Sequence, residues 1–248
     1  MPKIYISPPY HRWNQCSYSK ECNETLHGNQ YCDELEVYLK ACGIDFKRGP
    51  RRTPGSDEDG TALMKKAVAE SNSYKPDLHY VTHTNASNGT VKGSRPMIFP
   101  SSAKGRAIAN KIIEYRKKIY PYNIVLNERS DLYELKDTIA PTVYEELVFH
   151  DNKEDANWLH QNMRKLAEYT ARALCDYFGI SFSDPYSSKG DVDGDGRVSA
   201  ADALTALQAS VGKVTLTDEQ KQRADMDSDG KVTASDAHEI LKKSTGKQ

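Results

Sequence analysis

The sequence predicts an α/β domain with a largely parallel sheet flanked by helices, followed by a small all-α module. Strand and helix signals alternate over residues 3–178, which is typical of strands joined by crossover helices. Near the end of the chain, two similar acidic loops are each followed by a short helical segment. The 248 residues, 38% of them hydrophobic, are enough for one medium-sized core and one small module.

Periodicity and end signals define each element of the predicted domain. Short apolar runs indicate strands, and longer amphipathic stretches indicate helices. Because binding sites in such sheets lie at the carboxyl ends of the strands, the residues that follow the strands are candidates for a functional site. In chain order the predicted elements are strand Lys3–Ile6, helix Glu24–Cys42 closed by Gly43, strand Ile44–Lys47, helix Gly60–Ser71, strands Leu78–His83 and Met97–Phe99, helix Ala103–Tyr120, strand Thr142–Val148 and helix Asp155–Phe178.

The two acidic loops follow the pattern of an EF-hand calcium loop. They run from Asp191 to Asp202 and from Asp225 to Asp236, with acids at positions 1, 3, 5 and 12 and glycine at position 6. Oxygen ligands at this spacing wrap a hard cation. Position 12 is Asp in both loops, where an ordinary EF-hand has Glu. The residues between Pro185 and Gly190 predict no entering helix, and one short helix is predicted after each loop, at 201–210 and 235–243.

A duplicated loop-plus-helix with Asp at position 12 resembles the dockerin module of cellulosomal proteins, from Gly190 to about Lys243. The resemblance implies two structural Ca²⁺ ions, docking onto a cohesin domain of a scaffold protein, and a secreted protein. Because the crowded carboxylates repel one another and the core is small, we expect the module to fold only with calcium. The implied calcium ligands are Asp191, Asp193, Asp195, Arg197 and Asp202 in the first loop, and Asp225, Asp227, Asp229, Lys231 and Asp236 in the second.

Cohesin choice in this family is read largely at loop positions 10 and 11. These are Ala200 and Ala201 in the first loop and Ala234 and Ser235 in the second. This small, mostly apolar set departs from the Ser-Thr type, so the accepted cohesin stays open. The predicted boundaries are 1–182 for the catalytic domain, 183–189 for a linker and 190–248 for the dockerin.

Four polar residues of the first domain are candidates for a catalytic metal site. His11 follows the first strand, Glu24 opens the first long helix, His83 ends the third strand, and Glu146 lies near the end of the last strand. Two imidazoles and one carboxylate leave one position open on tetrahedral zinc, which is the catalytic arrangement. A further carboxylate beside that position can act as a general base. Spacing alone does not separate these residues from structural ones.

The surrounding sequences resemble a zinc-dependent N-acetylmuramoyl-L-alanine amidase. The matching segments occur in the family's order over residues 3–180, and Leu132–Asn152 is the most specific of them. The resemblance implies one Zn²⁺ held by His11, Glu24 and His83, with Glu146 as general base. It also implies a peptidoglycan substrate, cut between N-acetylmuramic acid and the L-alanine of the stem peptide. The family's Gly-rich turn around the first His is replaced by Pro8–Asn14, and its usual Leu-Gly-Phe by Leu147–Phe149. The quoted segments are Tyr5–Pro8, Glu24–Asn29, Ala41–Gly43, His83–Ala86 and Leu132–Phe149.

Other residues compete for these roles. Glu145 neighbours Glu146, but successive strand residues point to opposite faces, and we favour Glu146. His27 lies three positions after Glu24 on the same helix, and the register back from Gly43 favours Glu24. The remaining candidates are Asn85 and His150, which are weak candidates for substrate binding and fit a turn-stabilising role equally well.

The whole chain therefore predicts a hydrolase, namely a secreted bacterial zinc amidase attached to a cellulosome-like scaffold. The alternatives are a non-catalytic cell-wall or scaffold binder with a decayed metal site, and a zinc peptidase that cuts another bond. A net charge of −1 gives no sign of nucleic-acid binding, and no apolar run reaches the length of a membrane span.

The cysteines and the start of the chain give two further expectations. Five cysteines do not make a disulfide framework, so we favour free thiols, although Cys16 and Cys22 are close enough in sequence to pair across a loop. Lys3–Ile6 is too short for the apolar core of a signal peptide. Because the dockerin resemblance implies secretion, we expect that the native leader has been removed.

Overall fold

A six-stranded mixed sheet is the centre of the first unit, Met1–Ser183. The computed structural model describes residues 1–17, 23–186 and 189–246. The strand order is β2-β1-β3-β6-β4-β5, and all pairs are parallel except β4–β6. The strands are β1 Lys3–Ser7, β2 Asp45–Arg48, β3 Leu78–Asn85, β4 Arg95–Ile98, β5 Asn127–Glu128 and β6 Thr142–Phe149. The predicted α/β class with a largely parallel sheet is confirmed.

Helices cover both faces of this sheet. On one face, the Tyr31 hydroxyl of the first helix lies 3.0 Å from that of Tyr80 on β3. On the other face, Tyr5 of β1 packs with Ala67 of the second helix. The helices are α1 Glu24–Ala41, α2 Gly60–Tyr74, α3 Ala103–Arg116, α4 Tyr133–Lys136 and α5 Lys153–Phe178.

The sequence-based expectations missed two short elements and the direction of one strand. β5 has two residues and α4 has four, which is too short for periodicity to reveal. Strand β4 follows β3 in sequence, but it pairs with β6 in antiparallel fashion, with Arg95 opposite Glu146. β4 is thereby the strand that departs from the parallel pattern.

A buried ion pair fixes β6 from the face of the sheet that α3 covers. Arg116 of α3 donates a hydrogen bond of 2.6 Å to Glu145, and both side chains are at most 1% exposed. Arg116 also donates to the Ser94 hydroxyl at 2.8 Å, and Ser94 in turn donates to the main-chain carbonyl of Glu146 at 3.0 Å. Breaking such a buried pair on one side costs about 3–5 kcal/mol, so these contacts hold the strand firmly in register.

The second unit, Asp184–Gln248, is built from three helices among its described residues. These are α6 Ala200–Ser210, α7 Asp218–Ala224 and α8 Ala234–Ser244. α6 packs against α8 around a small apolar core that includes Val192, Ala206 and Ile240. The expectation that no helix enters the loops was wrong for the second loop. α7 ends directly before Asp225, and it begins at a capping box in which Thr217 and Gln220 satisfy each other's main-chain N–H groups.

The cysteine expectation needs one correction. Cys16 is disulfide-bonded, whereas the sequence favoured free thiols. Its suggested partner, Cys22, lies outside the described residues. Cys32, Cys42 and Cys175 carry thiols. No helix in the described ranges is long and apolar enough to cross a membrane.

Candidate metal centre

Three residues from distant parts of the sequence meet at the carboxyl end of the central strands. His11 lies in the turn after β1, and His83 lies near the end of β3. Glu24 is the first residue of α1, where Asn23 caps the helix by accepting from the main-chain N–H of Leu26 at 2.9 Å. This cap fixes the first turn of α1 beside β3, and so places the Glu24 carboxylate against His83.

The Glu24 carboxylate is the centre of the cluster. Its Oε1 lies 2.7 Å from His83 Nδ1 and accepts from the main-chain N–H of Thr84 at 3.1 Å. Its Oε2 accepts from the Asn14 side chain at 2.5 Å and lies 3.7 Å from His11 Nε2. One ligand atom of His11, Glu24 and His83 can be chosen so that all three lie within 4.8 Å of one another.

The donor set fits zinc of the catalytic type. Two imidazole nitrogens and one carboxylate oxygen are ligands that zinc accepts, with a fourth position left for water or substrate. Glu24 is 1% exposed and His83 is buried, whereas the His11 side chain is 51% exposed. The cluster is therefore closed on the side of the core and open towards a pocket of about 360 Å³, which His11 and His83 both line.

The charges of the cluster are strongly coupled. Burial disfavours the charged form of Glu24, but His83 outweighs it and lowers the pKa of Glu24 to about 2. Burial likewise opposes the protonated form of His83, yet Glu24 raises the pKa of His83 to about 9. The pKa of His11 is lowered, chiefly by burial. In the metal-free protein, each group of this pair thus favours the charged form of the other.

Glu146 lies next to this cluster on the same face of the sheet. It pairs in register with His83, so the two side chains leave neighbouring parallel strands in the same direction. Burial, supported by the charges of Glu24 and Glu145 and opposed by His83, raises the pKa of Glu146 to about 7. Its Oε2 is buried and has no hydrogen-bond partner among the described residues. Glu145 faces the other way, towards Arg116.

The pocket also contains residues that the sequence reasoning did not single out. Glu134 lines it and is 2% exposed; its Oε1 accepts from the Ser7 hydroxyl at 2.5 Å and lies 3.3 Å from His79 Nε2. Tyr144 and Arg52 line it as well. The available signal for Tyr144 was its position two residues before Glu146, which puts both on one face of β6. Glu146 itself is not among the residues that line this pocket.

The competing residues occupy other surroundings. The Asn85 side chain accepts from the main-chain N–H of Ala86, and the His150 ring lies 2.9 Å from the Thr84 hydroxyl. Neither lines the pocket, so their roles in substrate binding remain predictions. His27 packs edge-to-face on His160, with ring centroids 4.8 Å apart, and does not join the metal cluster.

In the second unit, the first acidic loop folds around its own carboxylates. Asp191 accepts from the main-chain N–H groups of Gly194 and Gly196 at 2.9 and 3.0 Å. Asp202, at position 12, accepts from Val192 at 2.7 Å. Oxygens of Asp191, Asp193 and Asp202 lie within 4.8 Å of one another. Burial raises the pKa of Asp191, and the Asp202 charge raises it further, although hydrogen bonds from Gly196 and Gly194 oppose the shift.

The second loop repeats this pattern with a different subset. Asp225 accepts from Gly230 at 2.9 Å, and Asp236, at position 12, accepts from Met226 at 2.8 Å. The carboxylates within 4.8 Å of one another are those of Asp225, Asp227 and Asp229. Each loop therefore brings together three of its four predicted acids, leaving out Asp195 in the first and Asp236 in the second. Arg197 and Lys231 occupy position 7, which supplies a main-chain carbonyl in an EF-hand loop.

The predicted partner positions flank an apolar depression between α6 and α8. Ala200 and Ala234 line it, whereas Ala201 and Ser235 do not. Its volume is about 400 Å³, and Leu204, Leu207 and Leu241 on its walls are 55%, 43% and 44% exposed. Large aliphatic side chains exposed on one side of two packed helices indicate a surface that binds another protein.

Structures of low sequence identity share the α/β fold. The catalytic domain of CwlV, an N-acetylmuramoyl-L-alanine amidase from Bacillus (Paenibacillus) polymyxa var. colistinus, is 15% identical, with a TM-score of 0.62 over 73% of this chain and 100% of that one. The CwlD amidase of Clostridioides difficile, solved with the GerS lipoprotein, is 16% identical, with a TM-score of 0.64 over 72% and 99%. The amidase Ami1 of Mycobacterium smegmatis is 15% identical, with a TM-score of 0.60 over 72% and 97%.

Family models match both units. No curated protein matches the chain at a significant level. A model of the dockerin type I domain matches residues 189–243, which confirms the resemblance of the second unit. A model of the N-acetylmuramoyl-L-alanine amidase family matches residues 19–176, more than half of the chain. The chain therefore belongs to the N-acetylmuramoyl-L-alanine amidase family and carries a type I dockerin domain.

Proposed function

We propose that this protein is a zinc-dependent peptidoglycan hydrolase that cleaves the amide bond between N-acetylmuramic acid and the L-alanine of the stem peptide. The observation that carries the proposal is the convergence of His11, Glu24 and His83 beside Glu146, at the carboxyl ends of β3 and β6. The membership of the amidase family supports the choice of bond. The full ligand set argues against a binder whose metal site has decayed.

His11, Glu24 and His83 would hold the metal ion. When bound, zinc polarises the scissile carbonyl and lowers the pKa of a water molecule to about 7. Glu24 is held by Thr84 and Asn14 independently of the metal, so the site is largely preorganised. The exposed edge of His11 faces the pocket and leaves room for the substrate amide.

Glu146 would move the proton. The attacking water adds its oxygen to the carbonyl carbon and passes one proton to the Glu146 carboxylate; the C–N bond then breaks as that proton goes to the departing amine. The direction of the shift suits both steps: burial raises the pKa of Glu146 above its usual range in the metal-free protein, and the same carboxyl must accept a proton and release it near neutral pH. The products are a free lactyl carboxylate on the sugar and a stem peptide with a free amino group.

The dockerin would hold the enzyme on a scaffold outside the cell. The carboxylate clusters of its two loops support two structural Ca²⁺ ions. The exposed leucines between α6 and α8 support docking onto a cohesin domain of a cellulosome-like scaffold protein. A scaffold-bound peptidoglycan hydrolase works at or beyond the bacterial surface, so we also propose secretion.

Zinc content and stem-peptide release from purified peptidoglycan test the catalytic proposal. We expect about one zinc per chain, and a loss of release in Glu146→Gln of roughly 10²–10⁴-fold, typical for removal of a general base. Glu134→Gln is the matched control, because it removes a buried carboxylate that lines the pocket while Ser7 and His79 retain a partner; its loss should stay below about 10-fold.

Three outcomes would contradict the proposal in different ways. Bound zinc without any peptide release would favour a wall-binding protein. Release of fragments cut within the stem peptide would favour a peptidase. Equal losses in Glu146→Gln and Glu134→Gln would remove Glu146 from its role as base.

A further inference from the structure

Tyr144 is a half-buried pocket residue that is neither a metal ligand nor the proposed general base. Its ring stacks on the imidazole of His83, with centroids 4.8 Å apart and planes within 13°. It lies two residues before Glu146 on β6, on the same face of the strand. It also lines the pocket of about 360 Å³ into which the metal cluster opens. The phenol therefore reaches the space where a substrate amide would lie.

The hydroxyl of Tyr144 is unused by the protein. Within the described residues it makes no hydrogen bond, and it is not among the buried polar atoms that lack a partner, so it is open to the pocket. Two tyrosine hydroxyls on this side of the sheet are occupied by contrast: that of Tyr5 donates to Glu70 at 3.0 Å, and that of Tyr10 lies 3.3 Å from the Ser7 hydroxyl. Stacking on His83 needs a ring only, so packing does not explain the hydroxyl.

We propose that Tyr144 is a catalytic residue whose hydroxyl donates a hydrogen bond to the carbonyl oxygen of the scissile amide as negative charge develops there. A phenol has an ordinary pKa near 10, so at neutral pH it is a proton donor in hydrogen bonds. A fixed donor is most effective in a pocket with little water, because the developing charge then interacts with an already oriented dipole.

The surroundings favour Tyr144 over the other polar groups of the pocket for this task. Both Glu134 and Glu146 are acceptors when ionised, and Glu134 is already engaged by Ser7 and His79. The Arg52 guanidinium donates to the main-chain carbonyls of Tyr10, Ser56 and Glu58, which directs it towards the loop and away from substrate. Tyr144 thus offers, beside His83, a donor that no hydrogen bond within the described residues occupies.

The inference rests on the proposed amidase function, and Tyr144→Phe tests it in the full, zinc-loaded chain. The phenyl ring keeps the stack on His83, so zinc affinity and melting temperature should match those of the parent. We expect kcat for a soluble muramoyl peptide to fall by about 10²-fold, as when one oxyanion donor is removed, with KM changed by less than about threefold. Tyr5→Phe, which removes a hydroxyl of the same sheet bonded to Glu70 outside the pocket, should retain parent kcat.

A second measurement does not depend on turnover. A phosphinate analogue of the tetrahedral intermediate should bind Tyr144→Phe at least tenfold more weakly than the parent, while Tyr5→Phe binds it equally well. Parent-like kcat and analogue binding in Tyr144→Phe would overturn the role of Tyr144 and leave the amidase function intact. If the parent releases no stem peptide, the proposed amidase function fails; a loss of analogue affinity in Tyr144→Phe would still support the donor, and unchanged affinity would overturn it.

Discussion

The candidate metal centre and its proposed base draw their side chains from positions 11, 24, 83 and 146, whereas each acidic loop draws its carboxylates from twelve consecutive residues. The first arrangement exists only because a sheet brings β1, β3 and β6 side by side. The second is held mainly by short-range hydrogen bonds within the loop, such as Gly196 to Asp191. A local site can therefore be identified from spacing, and a dispersed one only from the fold.

The two regions also differ in what holds them when no metal is bound. In the first unit, the Glu24 carboxylate contacts His83 and accepts a hydrogen bond from Thr84, and the sheet that carries these residues lies in a large hydrophobic core. In the second unit, a small apolar core must offset the repulsion of clustered carboxylates. We therefore propose that the first site is preorganised and that the second forms together with its metal.

Calcium removal should give the largest effect. Chelation at constant zinc should unfold the helices of the second unit completely, because like charges there lose their counter-ion, and should leave the first unit folded. Hydrogen exchange on the full chain would locate the loss to residues 189–246. Asp191→Asn should weaken calcium binding, whereas Asp218→Asn, at an exposed position of α7, should not. If amide hydrogens of the second unit stay protected from exchange after chelation, the two regions do not differ in their need for a bound metal.

Removal of a hydrogen bond that orients a proposed zinc ligand should have a smaller effect, a loss of zinc affinity. Asn14 donates to Glu24 Oε2 at 2.5 Å, and loss of such an orienting bond weakens metal affinity by about 10–100-fold. Zinc titration of Asn14→Ala measures this. Asn85→Ala serves as the control, because its side chain bonds its own loop, and its zinc affinity should equal that of the parent. An unchanged affinity in Asn14→Ala would argue against preorganisation by this contact.

The pH dependence of zinc binding follows from His83. Its pKa is raised to about 9 in the metal-free protein, so at pH 7 a proton must leave before the ring can bind a metal. Affinity should therefore rise with pH by roughly tenfold per unit up to about pH 9, and then level off. Calorimetry in buffers of different ionisation enthalpy should record release of about one proton per zinc at pH 7. A flat pH profile would mean that Glu24 and His83 are not coupled.

The smallest effect concerns a difference between the two calcium loops. Position 4 is Gly194 with φ +79° in the first loop and Ser228 with φ +65° in the second. A left-handed conformation disfavours residues with a Cβ, so Ser228→Gly should stabilise the calcium-loaded module by roughly 0.5 kcal/mol. Gly194→Ser should destabilise it by about 1–2 kcal/mol, since a Cβ would also meet the Arg223 guanidinium at 3.2 Å. Chemical denaturation with calcium present compares both variants; the same sign in both would refute this account.

The sequence predicted the fold class and most elements because long periodic segments such as α1 and α5 carry strong signals. The spacing of the aspartates and of one glycine was enough to identify the acidic loops as calcium-loop patterns. His11, Glu24 and His83 needed a family resemblance, since residues far apart in sequence carry no mutual spacing rule. Tyr144 was missed because a tyrosine in a strand is an ordinary packing residue until its pocket is seen.

β6 carries two consecutive carboxylates with opposite surroundings, Glu145 against Arg116 in the core and Glu146 beside His83. Because strand side chains alternate, sliding this strand by one residue would exchange the two. Both residues are glutamates, so the register of β6 in the sheet, and not the residue type, decides which of the two carboxylates faces His83 as the proposed base. A one-residue insertion before Thr142 would test which contact sets the register. If the ion pair with Arg116 sets it, Glu145 keeps its place and Glu146 still faces His83; if it does not, the two carboxylates exchange faces.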